Sequence, residues 1–170
     1  MITPAHVQVM ARYNRWQNQS LYASADRLPD AERKRARGAF FESIHGTLSH
    51  ILFGDMAWMH CFTKTTPPPS MMARTIEESA TAIPDWDELK RQRVAFDDII
   101  IAWADAMRTD GLNGDLTWHS QALCRDVTKP RRRQVTHLFN HETHHRGQAH
   151  CLLTQNGLKL QDTDLPFMPE

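Results

Sequence analysis

The chain has 170 residues, 41% of them hydrophobic, and its 20 Lys and Arg are matched by 20 Asp and Glu, so the formal net charge is zero. That length predicts one domain, 1–170, with enough apolar side chains for a packed core. A neutral balance supplies no field toward nucleic acid or a membrane surface, and neither is expected as a partner. Mean hydropathy is −0.56, and apolar runs such as FDDIIIAWA are broken by carboxylates and far shorter than the ~20 residues of a membrane span. The start, MITPAHVQVMARYNRW, lacks the basic opening, apolar stretch and small-residue cleavage site of a signal peptide, so the cytoplasm is the expected compartment.

Four long helices are predicted. The first opens at Thr3-Pro4, a capping residue followed by proline at the first helical position, and fades near Leu28-Pro29. A polar, basic stretch, DAERKRARG, leads to the second, running roughly from Phe41 to Lys64. Its apolar stripe is Ile44, Leu48, Ile51, Leu52, Trp58, Met59 and Phe62. TTPPPS ends it, because three prolines cannot continue a helix, and a loop runs to Pro84. The third helix takes Asp85 as N-cap with Glu88 three residues on, resembling a capping box, and reaches Met107. The segment 109–131 is rich in turn residues and is expected to hold an irregular excursion or short β-hairpin. The fourth helix begins near Arg132 and stops at Gln155-Asn156-Gly157, where glycine supplies a left-handed end. The tail LKLQDTDLPFMPE is extended. An all-α four-helix bundle, its helices antiparallel and their order left open, is the expected fold, and such bundles build metal sites from facing helices.

Cys61, Cys124 and Cys151 are odd in number and form no C-x-x-C pair, so neither a disulfide framework nor a cysteine zinc site is indicated. The basic run KPRRR reads as a solvated loop and first helical turn rather than a phosphate site. Histidine carries the chemical signal: there are ten, and four lie between His137 and His145.

HETHH, 141–145, matches the H-E-x-x-H helix signature of zinc proteases. His141 and His145 are four residues apart, so both rings can reach one ion. The protease pattern then fails at its third ligand. The extended form places glycine at 148 and histidine at 151, where this chain has Gln148 and Cys151. The alternative, a glutamate on a later helix, has only the terminal Glu170 within the remaining 25 residues. With the apolar face of helix four set by Val135, Leu138, Phe139, Ala149, Leu152 and Leu153, His145 lies about 50° and His141 about 90° from its centre. His144, about 150° away, faces solvent, and His137, about 130° away, is a poor ligand. Glu142 and Arg146 fall near the centre of that face. Either they form an internal ion pair or Glu142 is a catalytic base; the cost of an uncompensated buried carboxylate favours the pair.

NHETHHRGQAH with LLTQNGL and DTDLPFM resembles the last helix and tail of the DinB-like (DinB/YfiT) family of metal-dependent enzymes. ARYNRWQNQSL resembles that family's first helix, through Tyr13, Asn14, Trp16 and Asn18. HILFGDMAWM resembles its second, through His50, Asp55 and Trp58. These pieces, with the core His141, His145, Arg146, Gly147 and Gln148, run through nearly the whole chain in the family's order. The resemblance implies a four-helix bundle in which His50, His141 and His145 bind a divalent metal, nickel or zinc, with an open position. His45 and His60 are the competing histidines on helix two, and neither matches the pattern. On the wheel of that helix His50 lies about 140° from the apolar centre, in a stripe of small residues with Thr47, Gly54, Ala57 and Cys61. Asp55 sits near the apolar centre, as a buried acid paired with an arginine or asparagine of another helix or as a group orienting a ligand histidine.

The function the resemblance implies is activation of a low-molecular-weight thiol or of water on a small-molecule substrate, in a transferase- or isomerase-like reaction. Arg146 or a residue of 109–131 would steady an anionic substrate; no catalytic residue is assigned. The alternatives are a metal-dependent hydrolase and a non-catalytic, metal-binding stress-response bundle. The resemblance also implies a homodimer.

Overall fold

The computed structural model describes residues 2–66, 75–120 and 123–169. In chain order the long helices are α1 (Pro4–Ala25), α3 (Ile44–Thr63), α4 (Trp86–Asp105) and α5 (Arg131–Gln155), with a five-residue α2 (Asp30–Lys34) after the first. Single 3₁₀ turns occupy Glu78–Thr81, Thr109–Leu112 and Leu165–Phe167. Strands β1 (Asp115–Ser120) and β2 (Arg125–Pro130) pair antiparallel, from Asp115 opposite Pro130 to Ser120 opposite Arg125. The molecule is therefore an all-α bundle carrying a two-stranded hairpin between its last two long helices. Among the described residues no helix is long and apolar enough to cross a membrane.

The helix ends follow local chemistry. Thr3 Oγ1 accepts from the His6 amide, and Pro4 fills the first turn where its missing N–H costs nothing. Asp85 accepts from the Glu88 amide at 2.8 Å. Glu88 does not complete a capping box, because its carboxylate is turned to Arg91 and Gln92. Helix α3 starts at Ile44 rather than at Phe41. Residues Ala39 and Glu42 bridge in a tight turn with Glu42 at φ 62°, and Ser43 then caps the helix by accepting from the Gly46 amide at 2.9 Å. The stretch expected to be merely polar and basic contains α2, whose five residues are too short to show an apolar period.

Two apolar clusters fill the bundle. One gathers Leu21 and Ala25 of α1, Ile44 to Met56 of α3, Trp86 and Leu89 of α4, and Ala149 to Leu153 of α5. The other gathers Val7 and Ala11, Met59 and Phe62, Ile100 and Ala104, and Val135 to Phe139 from the same four helices. Each helix thus contributes one end to each cluster, which gives the directions. Helices α1 and α5 run one way, α3 and α4 the other, so the bundle mixes parallel and antiparallel neighbours where an antiparallel one was expected.

Between the clusters lies a buried polar layer: Asn14, Asn18, Asp55, Arg93, Asp97, Glu142 and Arg146. Arg93 of α4 reaches Asp55 of α3 at 2.6 Å and Asp97 at 2.9 Å. Asn18 donates to Asp97. Arg146 of α5 donates to Glu142 at 2.7 Å and to Asn14 of α1 at 2.6 Å. Buried charges survive only when paired and hydrogen-bonded, and these two arginines supply the pairing.

Candidate metal centre

Helix α3 is buried almost all round rather than along one stripe, because the 39–43 turn, the 3₁₀ turn at 78–81 and α5 cover its outer side. His50 lies there, 5% exposed, though its wheel position is far from the apolar centre. Its ring stacks on Phe41 at a centroid distance of 3.7 Å. His141 and His145 of α5 project toward it from successive turns, half-buried, with ring centroids 5.1 and 4.6 Å from that of His50. The close approach of His141 requires a glycine opposite. A Cβ on Gly54 would stand 2.7 Å from His141 Cε1, which no side chain tolerates.

The three histidines offer ligand atoms that all lie within 4.8 Å of one another. His50 Nε2 and His141 Nε2 are 3.1 Å apart. Two nitrogens bonded to one ion at ordinary zinc–imidazole lengths stand from about 2.9 Å apart at a right angle to about 3.4 Å at the tetrahedral angle. The cluster therefore fits a divalent cation in donor type and in this spacing.

Protonation suits the same purpose. Burial, then the neighbouring His141 and His145, push His50 down to about 3. Burial, then His145, push His141 down to about 4. His145 is lowered by burial, with its bond to Gln148 opposing. All three rings are neutral near pH 7, the form in which imidazole ligates. Two of them have the second nitrogen engaged: His50 Nδ1 lies 2.7 Å from Ser79 Oγ and His145 Nδ1 2.8 Å from Gln148 Oε1. His141 Nδ1 is buried without a hydrogen-bond partner.

The other histidines named from the sequence lie elsewhere. His45 is buried against Ile83 O at 2.8 Å, and His60 bonds Thr65 O at the end of α3. His144 is exposed beside His145, and His137 is exposed between Trp58 and His141. Glu142 is wholly buried against Arg146 at 2.7 Å. Burial and the neighbouring Asp55 carboxylate push its carboxyl well above the usual range, while Arg146 and Arg93 pull the other way. Asp55 accepts a hydrogen bond from Arg93 of α4, the inter-helix ion pair among its two readings. Arg146 faces away from the histidines. It bonds Glu142, Asn14 and Thr143 and borders a cavity of about 290 Å³ beside Tyr13, Gln17 and His150, so it is not placed to steady a substrate at the cluster. Gly54 was already placed beside His50 in the small-residue stripe, whereas Ser79 and Phe41 are contacts of the site that the sequence does not indicate. Both sit in connecting segments with no period to expose them, whereas Gln148, three residues after His145 on the same helix, was already part of the pattern that carries the family resemblance.

A mostly helical bundle with three convergent imidazoles from two facing helices belongs to the class that can seat a metal ion in its core. The chain is a member of the DinB family, whose model matches residues 1–170. It is similar to Protein DinB of Bacillus subtilis (strain 168), at 25% identity over 155 residues, covering 89% of this chain and 87% of that one.

Proposed function

We propose that His50, His141 and His145 bind a divalent metal, nickel or zinc, and that the protein is a metal-dependent enzyme acting on a small molecule through a low-molecular-weight thiol or water. The observation that carries this reading is the convergence of three neutral imidazoles, one buried and two half-buried, two of them with the second ring nitrogen already hydrogen-bonded. A cation held by neutral ligands keeps its full charge and supplies Lewis acidity to a water or thiol at an open position. The chain's own residues do the rest. His50 is locked between Phe41 and Ser79, and His145 is oriented by Gln148. Trp58, Trp118 and His137 wall the side of His141 with aromatic surface. Protein purified without a histidine tag should carry near-stoichiometric metal. His145→Ala should abolish it and His144→Ala should leave it intact; equal losses would overturn the ligand assignment. Metal-loaded protein that shows neither a spectral change nor transfer with glutathione, bacillithiol or mycothiol would remove the thiol part of the proposal.

A further inference from the structure

We propose that Ser79 is a positioning residue that sets the tautomer and ring orientation of His50, leaving His50 Nε2 bare toward the cluster; its value for metal binding rests on the reading above, but the tautomer does not. A serine hydroxyl has one proton and can accept through its lone pairs. The Ser79 proton goes to Ile76 O within its own turn. Were it pointed at His50 instead, Ser79 Oγ and Ile76 O would face each other at hydrogen-bond distance with no hydrogen between them. The bond between Ser79 Oγ and His50 Nδ1, at 2.7 Å, must therefore be donated by the ring. His50 carries its hydrogen on Nδ1, and the lone pair on Nε2 faces His141 Nε2, 3.1 Å away.

The hydroxyl is itself held in place. Ser79 is fully buried. Its carbonyl accepts from Ser49 Oγ at 2.7 Å, and its amide bonds back to Thr75 O and Ile76 O. Four residues on, Ile83 O takes the His45 ring, and Gly46 lets Ala80 close against the helix, where an added Cβ would come within 3.3 Å of it. A stretch of α3 from His45 to His50 thus grips the 79–83 segment at several points, and Ser79 meets the ring with no freedom to turn away. The Phe41 ring, stacked on the imidazole, holds the ring plane. A flip of the imidazole would break the bond to Ser79 and strand a ring nitrogen.

The test begins with metal-free wild-type protein and needs no substitution. Side-chain ¹⁵N-correlated NMR near neutral pH should show His50 as the Nδ1–H tautomer; an Nε2–H signal would overturn the proposal outright. In Ser79→Ala the population should move toward Nε2–H, and nickel or zinc affinity measured by chelator competition should fall about 10- to 100-fold. Ser49→Ala loosens the same turn while keeping the Ser79 hydroxyl, and should keep the wild-type tautomer. If it moves the tautomer as Ser79→Ala does, Ser79 acts only by shaping the turn and the proposal fails. A wild-type protein that binds no metal defeats the function proposed above, whereas the tautomer measurement still decides the part played by Ser79.

Discussion

Gly54 shows how one missing methyl group organises the cluster. In an exposed helix interior glycine costs roughly 1 kcal/mol relative to alanine, so Gly54→Ala would ordinarily stabilise α3. Here the added Cβ would collide with His141 Cε1 at 2.7 Å. Gly54→Ala is therefore expected to displace that ring and weaken metal binding at least about tenfold, with helix content by circular dichroism unchanged. Unaltered binding would mean that α5 shifts to accommodate the methyl. At this level the sequence was partly readable. The four-residue spacing of His141 and His145 is a local fact and showed itself in HETHH. Glu142 and Arg146 revealed their pairing through the wheel. His50 could be reached only through a family resemblance, because nothing in its own helix marks it, and Ser79 could not be reached at all, since its contact joins positions 29 apart in the chain.

Periodicity located the long helices because each presents an apolar face to two neighbours, and turn-rich composition located the hairpin. It misjudged α3. A wheel assigns one buried side, but α3 is enclosed by three further segments, so Thr47, His50 and Gly54, far from its apolar centre, are buried as well. The start of α3 was misplaced because Phe41 looks like the first residue of the stripe, yet belongs to the turn that shields His50. The helix really begins at its cap. Ser43→Ala leaves the Gly46 amide without its partner, and should lower stability by about 1 kcal/mol in denaturant titration. Since Gly46 is also where Ala80 packs, the same change should raise amide exchange in the 79–83 segment. Protection there equal to wild type would show that the cap and the turn are independent.

Across the molecule, polar groups occupy the middle of the bundle and apolar ones both ends. That order was hidden in the sequence because each long helix carries only one or two residues of the central charged and amide layer. It has a consequence in acid. Unfolded, His50 and His141 titrate near 6.5; folded, they resist protonation down to about 3 and about 4. Between those limits the unfolded chain binds more protons, so the stability these rings contribute is complete above 6.5 and is lost as pH falls to about 4 for His141 and about 3 for His50. Glu142 and Asp97, raised chiefly by burial, act with the opposite sign. The comparison is therefore between metal-free wild type and His141→Asn. Wild type should lose more of its urea midpoint between about pH 7 and pH 5 than the variant does. Equal losses would place the acid sensitivity elsewhere. A different consequence follows from the pairing of His50 with His141, which are 91 positions apart. During synthesis the first of these imidazoles is made long before the second, and no nascent chain lacking α5 can assemble the cluster. Uptake of a cation there would then be a late event that reports a finished chain. Because an ion that binds only the folded form shifts the equilibrium by mass action, its supply would set how firmly the last helix stays docked.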